Sequence, residues 1–129
     1  MTKTEIKHPD KQVDTGAYSA GVLVDGWLFI SGQGSVDLAT GEVIRGNIEE
    51  ETTNTLNHIK KIIEAAGGKM ADIVKCTAHL SDINEFDRYN AVYASFFPGI
   101  KPARTTVQSV LGDGIKVEID AIAKLGSGI

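Results

Sequence analysis

The chain has 129 residues, 42% of them hydrophobic and 23% charged, and a net charge of −4. That length makes one domain, residues 1–129, which can bury about two-thirds of its unfolded surface. The acidic balance argues against nucleic acid as a partner, since phosphate binding draws on a basic footprint, and the apolar runs are too short for a membrane span.

Residues 1–15 are polar and charged, without the apolar core of a signal peptide, and the single cysteine, Cys76, fits a reducing compartment. The expected location is the cytoplasm. A weak strand is expected near residues 2–7. Two β-rich runs, 19–24 and 27–32, flank Asp25-Gly26, a dipeptide that tolerates the positive φ angles of a tight hairpin. Residues 33–46, with Gly34, Gly41 and Gly46, read as a loop.

Asn47 opens a helix, with Glu50 three residues on as its capping-box partner. Glu49, Glu50 and Glu51 stand where the helix dipole favours anions, which accounts for the acidic run. Ile48, Thr52, Leu56, Ile59, Ile62, Ile63 and Ala66 recur at helical spacing and define one buried face. Gly67-Gly68 ends the helix. Residues 73–80 read as a strand with Val74, Cys76, Ala78 and Leu80 on one side and Lys75, Thr77 and His79 on the other. Asp82 and Glu85 form a second capping box before a helix carrying Phe86, Tyr89, Tyr93 and Phe96, which Pro98-Gly99 stops. Strands near 103–110 and 115–124, joined by Gly112-Asp113-Gly114, complete the chain.

The order β-β-β-α-β-α-β-β lacks the regular alternation of a doubly wound sheet and points to an α+β fold, a mixed sheet with two helices on one face. Val117, Ile119, Ala121 and Ala123 would pack under the helices, while Ile122 and Val110 would point the other way. Two helices cannot cover both faces, so self-association is the expected way to bury the second.

Among groups with chemical potential, Ser31-Gly32-Gln33-Gly34-Ser35 contains a G-x-G element, but no third glycine and no following helix, so it reads as a close backbone approach. His8, His58 and His79 are scattered without metal-ligand spacing, and Cys76 sits at a core-facing position; no metal and no cofactor is expected. Arg104 is different. A guanidinium just inside a strand needs a partner, which can be Glu118 of the next strand, solvent, or a ligand carboxylate held by two parallel hydrogen bonds. Strand alternation puts Thr106 on the face of Arg104, and Asp120 on that of Glu118. A cation, a hydroxyl and an acid able to orient water would suit hydrolysis of a small acidic substrate.

Several spaced elements then resemble one family: Gly16-Ala17-Tyr18-Ser19, Ser31-Gly32-Gln33, Gly41-Glu42-Val43, Ala65-Ala66-Gly67, Asp72-Ile73-Val74-Lys75, Asn90-Ala91-Val92-Tyr93, Phe96-Phe97, Pro102-Ala103-Arg104 and Glu118-Ile119-Asp120-Ala121-Ile122-Ala123. In order and spacing they are similar to the RidA family, also called YjgF or L-PSP, over about residues 15–124. The resemblance implies a chorismate mutase-like fold, a homotrimer whose sheets form a central barrel, and sites in clefts between subunits. It implies hydrolysis of a small carboxylate-bearing imine or enamine, such as 2-aminoacrylate or a 2-iminobutanoate/2-iminopropanoate type of substrate, to a 2-keto acid and ammonia. Arg104 would bind the substrate carboxylate and Glu118 would orient the attacking water. Tyr18 and Asn90 would line the pocket, Ser31 and Gly32 would shape its wall, and backbone groups around Arg104 and Thr106 would hold the imine nitrogen and the water. The alternatives are a non-catalytic small-molecule-binding regulator with the same pocket, and the endoribonuclease or translation-inhibitor activity also attributed to the family. Thr106 stands where many members have cysteine, Ala17 where a proline is common, Lys101 where an aromatic residue often precedes Pro-Ala-Arg, and Gly34 where a larger apolar residue is usual.

Overall fold

In the computed structural model, which describes residues 2–128, Asp25 and Gly26 take φ values of 54° and 77° and fold β2 (Gly21–Val24) back on β3 (Trp27–Gln33). Their positive φ angles match the twist of the two strands, the geometry expected of this dipeptide. β1 (Thr4–Ile6) adds antiparallel to β2. Asn47 accepts from Glu50 N at 2.8 Å and Glu50 Oε1 accepts from Asn47 N at 2.9 Å, so the capping box is formed and α1 runs Ile48–Ala65. Gly67, at φ 87°, turns the chain at its C-terminal end, and Gly68 N closes on Ile63 O.

β4 (Ile73–Leu80), α2 (Phe86–Ser95), β5 (Ala103–Gln108) and β6 (Val117–Lys124) follow, in a sheet ordered β1-β2-β3-β6-β4-β5. Among the described residues only β4 and β5 pair in parallel, and α2 provides their crossover. α1 lays Ile48, Leu56, Ile59, Ile62 and Ile63 onto Leu28, Ile30, Ile119, Ala121 and Ala123, all buried. Each of these leucines and isoleucines contributes about 1.5–3 kcal/mol relative to exposure. The expected α+β fold, a mixed sheet with two helices on one face, is the observed one. The opposite sheet face leaves Trp27 and Phe29 40% and 46% exposed, beside a half-buried Ile122.

The structure corrects four local expectations. The register between β4 and β6 shifts between Ile73 and Lys75, so Ile73 is buried and Val74 turns outward. Asp82 accepts from Asn84 N at 2.9 Å and opens a 3-10 turn at Ile83–Glu85; Glu85 reaches forward to Arg88 instead of closing a box, and α2 starts at Phe86. Val110 is fully exposed in the connection after β5, whose 3-10 turn at Gly112–Gly114 delays β6 to Val117. Glu51 is no solvated dipole partner: it is wholly buried, accepting from Lys116 N at 2.9 Å and Gly46 N at 3.2 Å, with Lys116 Nζ at 3.4 Å.

The histidines are less scattered than their spacing suggests. Asp10 N donates to His8 Nδ1 at 3.0 Å, His8 Nε2 lies 3.0 Å from His58 Nδ1, and His58 Nε2 lies 2.7 Å from Val36 O. With Nδ1 of His8 accepting, both rings complete this chain only as neutral imidazoles donating from Nε2. The chain ties residues 8–10 to α1 and to the loop after β3. Burial, then the neighbouring His58, holds the His8 pKa down to about 4, with Lys61 and Lys11 acting the same way and Asp10 opposing. A histidine whose pKa falls on folding contributes stability above its unfolded value near 6.5 and loses it toward 4 as the unfolded chain takes up the proton. Thermal unfolding followed from pH 7 to pH 4 is expected to show this loss, and His8→Gln to flatten it; an equal slope in the variant would contradict the assignment.

Candidate active site

Cross-strand register decides which side chains can meet. Arg104 pairs with Cys76, which pairs with Ala121; Thr106 pairs with Ala78, which pairs with Ile119. Cys76, Ala78, Ile119 and Ala121 are all buried beneath the helices, so Arg104 and Thr106 lie on the helix side. Glu118 pairs with His79, which pairs with Val107, on the bare side. The strand-to-strand parity therefore separates the arginine from the glutamate by the thickness of the sheet. The internal Arg104–Glu118 ion pair, open in the sequence, is not formed.

The predicted site residues fall into two sets. On the helix side, Arg104 Nη1 donates to Asn90 Oδ1 at 2.7 Å, and the Tyr89 hydroxyl lies 3.1 Å from Thr106 Oγ1. The guanidinium stands over the Tyr93 ring at 4.6 Å and near Phe86 and Tyr89, each at 5.5 Å. Four further N–H donors remain on Arg104, and β5 is an edge strand. Burial raises the Tyr89 and Tyr93 pKa values and pushes the Cys76 thiol up to about 11, so all three stay neutral beside the cation.

On the other side, Tyr18, Gly32 and Glu118 line a cleft of about 550 Å³ whose wall includes Asp14, Gln33 and Asp113. Thr15 Oγ1 lies 2.6 Å from the Tyr18 hydroxyl, and Lys11 Nζ lies 5.0 Å from the centre of its ring. Ser31 turns its hydroxyl onto Ser19 O at 2.6 Å while its N–H reaches Ala20 O at 2.9 Å. It thus fastens the Tyr18 segment to β3 and shapes the wall through the backbone. Gly32 leaves room for the glutamate: a Cβ there would lie 2.6 Å from Glu118 Oε2 and 3.0 Å from Cδ, so the carboxylate would have to shift. Gly34, the departure beside it, leaves room that Ile115 occupies, for a Cβ would meet Ile115 Cδ1 at 3.0 Å.

The sequence places Phe86, Tyr89, Tyr93 and Phe96 on one helix without a role; the three- and four-residue spacing of the first three, with Asn90 one turn after Phe86, is the signal that could have placed them around a cation. Among the described residues, no three His, Cys, Asp or Glu side chains are grouped as they would be to hold a metal ion, and no helix is long and apolar enough to cross a membrane.

Comparison with known proteins agrees with this fold. A 2-iminobutanoate/2-iminopropanoate deaminase of Rattus norvegicus is 40% identical over 112 residues, covering 86% of this chain and 82% of the relative. A RutC family protein of Pyrococcus horikoshii is 43% identical over 109 residues, covering 84% and 86%. The crystal structure of YyfA from Yersinia pestis, described as a protein of unknown function of the conserved Rid protein family, superimposes with a TM-score of 0.90 at 34% identity, covering 96% of this chain and all of that one. Residues 10–125 match the family described as Endoribonuclease L-PSP, and the chain belongs to that family, the RidA or YjgF proteins.

Proposed function

We propose that the protein is an imine deaminase that hydrolyses carboxylate-bearing 2-imino acids, and their enamine tautomers, to 2-keto acids and ammonia. The observation that carries this reading is the division of the site: an Arg104 with free donors on one sheet face, and Glu118 in a cleft on the other. A ligand small enough for imine chemistry cannot touch both within one chain. A second copy bringing its edge strand β5 to the cleft of the first would unite them, and the face bearing exposed Trp27 and Phe29 beside half-buried Ile122 supplies apolar surface for such an assembly. A homotrimer with its sheets forming a central barrel meets this requirement.

In that cleft Arg104 receives the substrate carboxylate through paired, charge-assisted hydrogen bonds, which fixes the imine carbon relative to Glu118. Glu118 accepts a proton from water as the water oxygen bonds to the imine carbon, and passes that proton to the nitrogen to give a carbinolamine. Glu118 then takes the hydroxyl proton and returns it to the amine as the carbon–nitrogen bond breaks, which releases ammonia and leaves the keto acid. Tyr18, Gly32 and the Ser31 backbone bound the cleft, while Asn90 and Thr106 stand beside the arginine. The family name also denotes ribonuclease activity, but a net charge of −4 offers RNA little attraction.

The test is a panel of imines generated in situ from different amino acids, their decay followed with and without protein. Acceleration of at least one is expected; no acceleration across the panel removes the proposal. Gly32→Ala should lower turnover about 10- to 100-fold by pushing Glu118 off the water, with little change in thermal stability. Full turnover in that variant would show that the close Gly32–Glu118 approach has no functional consequence.

A further inference from the structure

We propose that Tyr93 is a positioning residue for Arg104: the face of its ring, with Phe86 and Tyr89 beside it, holds the guanidinium so that the donors left free by Asn90 point at the substrate carboxylate. The inference rests on the deaminase reading and deepens it by naming what aims the clamp.

An arginine that waits for its ligand has a long, flexible stem, and freezing it only upon binding weakens the complex. Here the freezing is done by α2. Phe86, Tyr89 and Tyr93 are spaced three and four residues apart and so share one helix face, with Asn90 adjoining. The Tyr93 ring approaches the guanidinium more closely than its neighbours, 4.6 Å against 5.5 Å, within the range of cation–π attraction. Such attraction uses none of the N–H donors, so those left by Asn90 stay available to a ligand. Asn90 occupies one donor of Nη1 and fixes rotation in the plane.

Tyr93 itself is buried, and among the described residues its hydroxyl has no hydrogen-bond partner. Phenylalanine would fill the same space without an orphaned polar group, so the ring face and not the hydroxyl is what the cradle uses. The neighbouring Cys76 stays a neutral thiol and offers no competing anion.

Tyr93→Phe, Tyr93→Leu and Phe86→Leu would be compared with wild type in steady-state kinetics on an in situ imine, in calorimetric binding of 2-ketobutyrate, and in thermal unfolding. Tyr93→Phe should keep KM within about twofold. Tyr93→Leu should raise KM roughly 3- to 30-fold and weaken keto-acid binding by the same factor, with kcat little changed. An unchanged KM and keto-acid affinity in a folded Tyr93→Leu protein, or an equal loss in Tyr93→Phe, would overturn the inference. Should Tyr93→Leu fail to fold, the partly exposed Phe86→Leu carries the test, with a smaller KM rise expected and an unchanged KM counting against the cradle. A wild type that neither hydrolyses any imine nor binds the keto acid overturns the deaminase reading, and the inference with it.

Discussion

Arg104→Ala is expected to reduce kcat/KM on carboxylate-bearing imines by about 10²- to 10⁴-fold while leaving the fold intact. Two charge-assisted hydrogen bonds to a carboxylate, each contributing about 1.5–3 kcal/mol, set that range. The fold should survive because the side chain makes one hydrogen bond, to Asn90, and stands at the edge of the sheet where water can replace it. Arg104→Lys should recover little, since an ammonium keeps the charge but loses the planar fork and the fit against Tyr93. Kinetics on the in situ imine, alongside thermal unfolding, provide the check. Wild-type turnover in a folded Arg104→Ala protein would remove the clamp.

Glu51→Ala is expected to be the strongest single destabiliser outside the apolar core. The carboxylate is fully buried and takes the N–H groups of Gly46 and Lys116 together with the Lys116 ammonium. Its removal strands two backbone donors and opens a cavity, at a cost of about 2–4 kcal/mol. Glu51→Gln, which preserves one acceptor oxygen, should cost less. Because Lys116 is two residues from Glu118, the contact also fixes the entry of β6 into the candidate site, so loosening should reach activity as well as stability. Urea unfolding of the three proteins reads the difference; a loss below about 0.5 kcal/mol for the alanine variant would contradict this role.

The hairpin at Asp25-Gly26, the capped α1 and its apolar face were legible because each is written in neighbouring residues: a turn dipeptide, a cap and a 3.6-residue period. Val74 was misplaced because a bulge is a property of the β4–β6 pair, and alternation along β4 alone cannot reveal it. Glu51 was absorbed into an acidic run with a sufficient local explanation, although its position beside Ile48, Thr52 and Thr55 put it on the buried face. The candidate site was half legible. Alternation grouped Arg104 with Thr106 and Glu118 with Asp120, but whether the two groups share a face depends on the register through β4, which joins β5 to β6 in space. That register separates them, and under the proposed function a second chain has to bring the two groups together.

This division can be tested directly by mixing an Arg104→Ala chain with a Glu118→Gln chain, each separately tagged, and purifying oligomers that contain both. Each variant alone is expected to be inactive. In a trimer that contains both chains, one of the three interfaces joins an intact Arg104 to an intact Glu118 from the neighbouring copy, so about one third of wild-type activity should return. Mixed oligomers as inactive as either parent would contradict a site shared between subunits.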